Sequence, residues 1–177
     1  MPKILFICTA NICRSPMASA IMNEIVNNKY NKRDWQIESA GTWGQEGYRV
    51  VDEVLVIMRN RGIDLSSHRS RIISQELMQY ANLVLTMEKG HKEALRMEFP
   101  EFSERTYLLS EMIEQDFDID DPIGGSRSQY EQTAKLLEMI LLQGFEKINQ
   151  LVEPSSHSRG FLFLPSEDNK SIGEQQI

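Results

Sequence analysis

The sequence predicts an α/β fold: a three-layer sandwich in which a four-stranded parallel sheet is flanked by helices. Short apolar runs and amphipathic stretches alternate along the chain, the pattern of strand–helix units that build parallel sheets. The runs are continuous in their apolar character, as strands buried on both faces require. The first of them, Lys3 to Cys8 ("KILFIC"), passes through a short loop into a helical stretch. Such a strand-loop-helix is suited to holding phosphate.

The elements follow in order. After the first strand, Met17, Ile21, Met22, Ile25 and Val26 recur three and four apart on one helical face. Ser15-Pro16 reads as the N-cap and first turn of that helix. Trp35 to Ala40 reads as the second strand, ended by Gly41. A helix is expected from Tyr48 to Arg61, stopped by Gly62, with Arg59 and Arg61 in its last turn. Ser74 caps a short helix through Ala81, and Asn82 to Met87 ("NLVLTM") reads as the third buried strand. A helix from Lys89 to Met97 and a fourth strand from Arg105 to Ser110 come next. A polar loop then carries Asp116 to Gly125, and one long helix is expected from Ser126 to Val152. Residues 1–153 read as one domain. Residues 154–177 read as a flexible tail: linker-like "PSSHSRG", apolar "FLFLP" and a polar end.

Composition narrows the function. With 177 residues, 41% apolar and 25% charged, the chain fits a soluble globular domain with a substantial core. No run approaches the ~20 apolar residues of a membrane span, and no cleavage-site pattern follows the N-terminus. A cytoplasmic protein with no membrane partner is expected. The net charge of −7 argues against a nucleic-acid partner. Two cysteines five positions apart make a poor disulfide framework. The three histidines, His68, His91 and His157, are too scattered to complete a zinc set with them. Neither a metal nor another cofactor is expected.

Both cysteines fall in "CTANICRSP", residues 8 to 16. In open parallel sheets ligands bind outside the carboxyl ends of the strands. There the backbone N–H groups of Thr9, Ala10, Asn11, Ile12 and Cys13 can turn inward, and the helix N-terminus adds positive potential. An oxyanion such as phosphate is the expected guest, with Arg14 gripping two of its oxygens. Cys8 would then lie beneath the phosphorus, where arginine and helix favour its thiolate. A thiolate so placed can form a phosphocysteine intermediate. The route also needs an acid for the leaving oxygen and a base for water. On chemistry alone Asp118, Asp120 and Asp121 all qualify.

Cys-x5-Arg-Ser, together with "SAGT" at 39–42 and "DPIGGS" at 121–126, closely resembles the low-molecular-weight protein tyrosine phosphatases. The resemblance runs from residue 3 to about residue 152. It implies a four-stranded parallel sheet and hydrolysis of phosphotyrosine in a phosphorylated protein partner. It also implies Cys8 as nucleophile, Arg14 as phosphate clamp, and Asp121 of the Asp-Pro pair as general acid and base. A supporting network follows from it, in which Ser15, Ser39 and His68 hold Asn11 in a left-handed conformation that asparagine tolerates. Ser15 would also stabilise the Cys8 thiolate. In the family, oxidation closes a reversible disulfide between the positions of Cys8 and Cys13.

The resemblance bears on the substrate as well. Slot walls in the family are usually aromatic, which points to Trp43, with Tyr48 beside it. After Asp121-Pro122 this chain has Ile123 where tyrosine phosphatases often carry an aromatic. "DPIGGS" is similar to the bacterial branch that includes protein-arginine phosphatases, and that activity is the alternative. Those members have threonine where Ile12 stands, whereas isoleucine is usual in tyrosine-specific members, so phosphotyrosine is favoured. Arsenate reduction on this fold needs further cysteines, and none follows Cys13. A noncatalytic phosphate-binding module would require neither Cys8 nor Asp121.

Overall fold

In the computed structural model, which describes residues 1–31 and 34–152, the strands are β1 (Lys3–Cys8), β2 (Gln36–Gly41), β3 (Leu83–Thr86) and β4 (Thr106–Leu108). All pair in parallel, in the order β2-β1-β3-β4. The chain leaves β1 toward one side of the sheet and returns for β3 on the other. The strand order therefore reverses between β1 and β3, and a crevice opens at their carboxyl ends. The loop after β1 lies there.

Among the described residues six α-helices accompany the sheet: α1 (Arg14–Glu24), α2 (Asp52–Asn60), α3 (Gln75–Tyr80), α4 (Lys89–Glu98), α5 (Arg127–Gln143) and α6 (Phe145–Val152). The continuous apolar character of β1 has a direct cause, since successive side chains enter opposite layers. Ile4 and Phe6, with Leu83 and Leu85, join Met17 and Ile21 of α1 and Leu137 and Ile140 of α5. Leu5, Ile7 and Val84 instead join Met78 of α3 and Leu95 of α4. A fully buried side chain of this kind contributes about 1.5–3 kcal/mol. Covering both faces of β1 thus holds rigid the strand that presents Cys8.

Four expected boundaries are corrected. The first helix begins at Arg14 with Cys13 at the cap position, and Ser15 caps nothing; its hydroxyl is committed inward, as described below. The helix expected from residue 48 begins only at Asp52. Before it, Tyr48 N–H donates to Ser70 Oγ at 3.0 Å and Val51 N–H to Ile12 O at 3.1 Å. These donors tie the segment to its neighbours instead of opening a helix. The fourth strand stops at Leu108, whose N–H is taken by Glu111 Oε2 at 2.6 Å, and a 3₁₀ turn over Leu109–Ile113 follows. The long final helix is divided at Gly144. A Cβ there would stand 2.6 Å from Cβ of Met112, so the backbone passes too close for any side chain. The tail expected at 154–177 lies outside the described residues. Among the described residues no helix is long and apolar enough to cross a membrane.

Candidate active site

The loop after β1 is shaped first by its neighbour strand. Cys8 is in register with Gly41, and Thr42 and Trp43 donate their N–H groups to the carbonyls of Cys8 and Thr9, both at 2.9 Å. A Cβ on Gly41 would lie 2.5 Å from Thr9 O. The glycine of "SAGT" is what lets the loop lie against β2.

Asn11 then turns the chain, with φ at 56°. Every polar atom of its buried side chain is engaged. Nδ2 donates to Ser15 Oγ and to Ser39 Oγ, each at 2.9 Å, and Oδ1 accepts from Arg71 N–H at 3.1 Å. Its carbonyl lies 2.8 Å from His68 Nε2. A carbonyl only accepts, so His68 carries its proton on Nε2. Burial pushes the His68 pKa down, with Arg71 and Arg69 adding to that against the Asn11 hydrogen bond. The ring is therefore neutral at pH 7. Ser15 Oγ also reaches Cys8 Sγ at 3.0 Å, within range to donate to a thiolate.

This turn leaves donors free. Among the described residues, the backbone N–H groups of Ala10, Asn11, Ile12 and Cys13 donate to no backbone carbonyl. Arg14 lies beside them, almost wholly buried. Its Nη1 donates to Glu88 Oε1 and to Ile119 O, and its Nη2 donates to Asp121 Oδ2 at 2.7 Å and Thr9 Oγ1 at 3.2 Å. Burial opposes the guanidinium charge, but Glu88, Asp121 and Cys8 outweigh it and push the Arg14 pKa up. The fifth donor, Nε, is buried without a partner among the described residues.

The loop aspartates separate by their contacts. Asp118 Oδ1 accepts Lys89 N–H at 2.7 Å at the start of α4, while Asp120 is exposed. Asp121 is the one of the three that pairs with Arg14, and its other oxygen accepts Ile123 N–H at 3.2 Å. Cys13 is buried, and that burial, with Asp121 and Cys8 nearby, pushes its pKa far up and keeps it a thiol. Both cysteines are free. Trp43 lines an apolar hollow with Ala10, Ile12, Gly44, Gln45 and Tyr48 at the loop's outer side.

Sequence reasoning missed Glu88, His91 and the Arg71 backbone. Glu88 and His91 follow β3, at whose carboxyl end side chains reach the same crevice as those after β1. That position was the available signal. No comparable signal marked Arg71, whose contribution to the loop is a main-chain N–H.

The description "Low molecular weight phosphotyrosine protein phosphatase" fits a family that matches residues 3–153 of the chain. Over 149 residues the chain is 34% identical to a "Protein-arginine-phosphatase" of Geobacillus stearothermophilus, covering 82% of this chain and 95% of that protein. It is 32% identical over 145 residues to a "Putative low molecular weight protein-tyrosine-phosphatase" of Klebsiella pneumoniae, covering 82% and 96%. A crystal structure of a low molecular weight protein tyrosine phosphatase from T. tengcongensis superposes with a TM-score of 0.77 at 34% identity, covering 83% of this chain and 99% of that chain.

Proposed function

Because this chain belongs to the low molecular weight phosphotyrosine protein phosphatase family, we propose that it hydrolyses phosphotyrosine in proteins through a phosphocysteine intermediate. The observation that carries the reading is the set of free donors around Cys8. Four loop N–H groups and Arg14 Nε have no protein partner among the described residues. A phosphoryl group would satisfy them, with Arg14 offering it the Nε–H, because both Nη groups already donate within the protein.

In this reading the Cys8 thiolate attacks phosphorus and the bond to the tyrosine oxygen breaks. Asp121 gives its proton to the departing phenolate. The resulting carboxylate then takes a proton from water as that water attacks the phosphocysteine. Phosphate leaves and the Cys8 thiolate returns. Ser15 steadies the sulfur from 3.0 Å, and the Asn11 network keeps the loop curled. Ile12, Trp43 and Tyr48 offer an apolar surface to the phenyl ring. The partner is a phosphorylated protein and not a nucleic acid, in keeping with the net charge of −7. A free Cys8 suits a reducing compartment, so we place the protein in the cytoplasm.

Phosphoarginine is a second reading, favoured by the Geobacillus relative named for that activity and by Ile123 in place of an aromatic. Turnover of phosphotyrosine and phosphoarginine peptides by one preparation decides between them. Faster turnover of phosphotyrosine is expected, and a preference for phosphoarginine overturns the first reading.

A further inference from the structure

His91 is a buried histidine that the reaction above does not use. Its Nε2 lies 3.0 Å from Thr9 Oγ1, and its Nδ1 is buried with no partner among the described residues. Thr9 Oγ1 also receives Arg14 Nη2 at 3.2 Å. A hydroxyl has two lone pairs and one proton, and arginine only donates, so one lone pair is taken. If Thr9 gave its proton to His91, the ring's own proton would sit on Nδ1 as a buried N–H with no partner, the rarer and costlier kind of orphan. A cationic ring would leave the same orphan. Burial and Arg14 both act against that cation, outweighing Glu88, Asp118 and Asp121. The remaining assignment has neutral His91 donating from Nε2. Both lone pairs of Thr9 Oγ1 are then filled, and its own O–H is left over.

We propose that His91 is a positioning residue that turns the Thr9 hydroxyl proton toward an oxygen of the bound phosphoryl group, beside Arg14 Nη2. Thr9 thereby joins Arg14 as a side-chain donor in a cup otherwise built from backbone. The inference rests on the reading that this loop holds a phosphoryl group.

Inorganic phosphate affinity by titration calorimetry, alongside turnover of a phosphotyrosine peptide, tests it. Thr9→Val and His91→Phe should each weaken phosphate binding about tenfold, the size of one hydrogen bond to a charged group. The double variant should be no weaker than Thr9→Val, because both changes remove the same bond. His91→Gln, whose amide N–H replaces the Nε2 donor, should recover most of the affinity. Penalties that multiply in the double variant, a Thr9→Val that binds as wild type does, or a His91→Gln no better than His91→Phe would each overturn the proposal. Should His91→Phe not fold, Thr9→Val against His91→Gln still decides: loss in the first and near-wild-type affinity in the second are expected. Multiplying penalties with intact wild-type turnover would sink this inference alone, whereas a wild type that binds phosphate without turnover would sink the phosphatase reading.

Discussion

The inner and outer sides of the phosphate loop are built on opposite plans. On the inner side Asn11 is fully buried and each polar atom of its side chain is matched. On the outer side Trp43 is 75% exposed and Tyr48 55%. A satisfied buried polar network resists change because each broken bond leaves a desolvated partner behind. An exposed apolar rim carries no such penalty. Chemistry is therefore locked on the inner side, and substrate choice is left to the rim.

Changes at the chemical centre should have the largest effects. Cys8→Ser should reduce turnover to background while phosphate and vanadate binding persist, as measured by calorimetry. Arg14→Lys should also be severely impaired, since a point charge cannot replace the planar fork. Substantial turnover by Cys8→Ser would rule out the phosphocysteine route. Asp121→Asn comes next, with an expected loss of about 10² to 10⁴ in kcat. That loss should shrink for aryl phosphates with acidic leaving groups, which need little protonation. The same pattern in Asp120→Asn, and not in Asp121→Asn, would reassign the acid.

The comparison also explains what could be read without coordinates. β1 and its loop are local in sequence, and Cys8, Arg14 and Ser15 lie within eight positions. The apolar runs gave the layers because both faces of the sheet are covered. By contrast, Gly144 reads as a position inside one long helix until Met112, far away in sequence, is seen against it. Ser15 looked like a cap because serine commonly is one; only its buried contacts with Cys8 and Asn11 show the hydroxyl spent elsewhere. Asp118, Asp120 and Asp121 are chemically alike, and it is a 2.7 Å contact with Arg14 that distinguishes the last.

On the outer side the expected effects are smaller and concern selectivity. Ile12 offers apolar contact but no partner for guanidinium N–H groups. Leaving such donors unpaired costs about 1–3 kcal/mol, or roughly one to two decades of rate. Ile12→Thr should raise phosphoarginine turnover relative to phosphotyrosine turnover by about that factor. Competition assays with both peptides measure it, and an unchanged ratio would remove Ile12 as a determinant.

The smallest expected effect tests the inner side through pH. Burial lowers the pKa of His68 and of His91 below the ordinary value of 6.5. Between the unfolded value and the lowered folded values, the unfolded chain binds protons that the folded chain refuses. Stability falls with falling pH wherever the unfolded state holds more protons. The histidine contribution is thus present in full above about pH 6.5 and is lost as pH drops through the folded values. His68→Gln retains an N–H for Asn11 O but cannot titrate. Its thermal midpoint should decline less than that of wild type between pH 7 and pH 5, by no more than about 2–4 °C, the equivalent of about 1 kcal/mol in a domain this size. Adding His91→Gln should flatten the profile further. Rim variants such as Trp43→Ala should follow the wild-type slope, since they touch neither ring. If His68→Gln and Trp43→Ala decline equally, the buried histidines do not set the acid limit of the inner side.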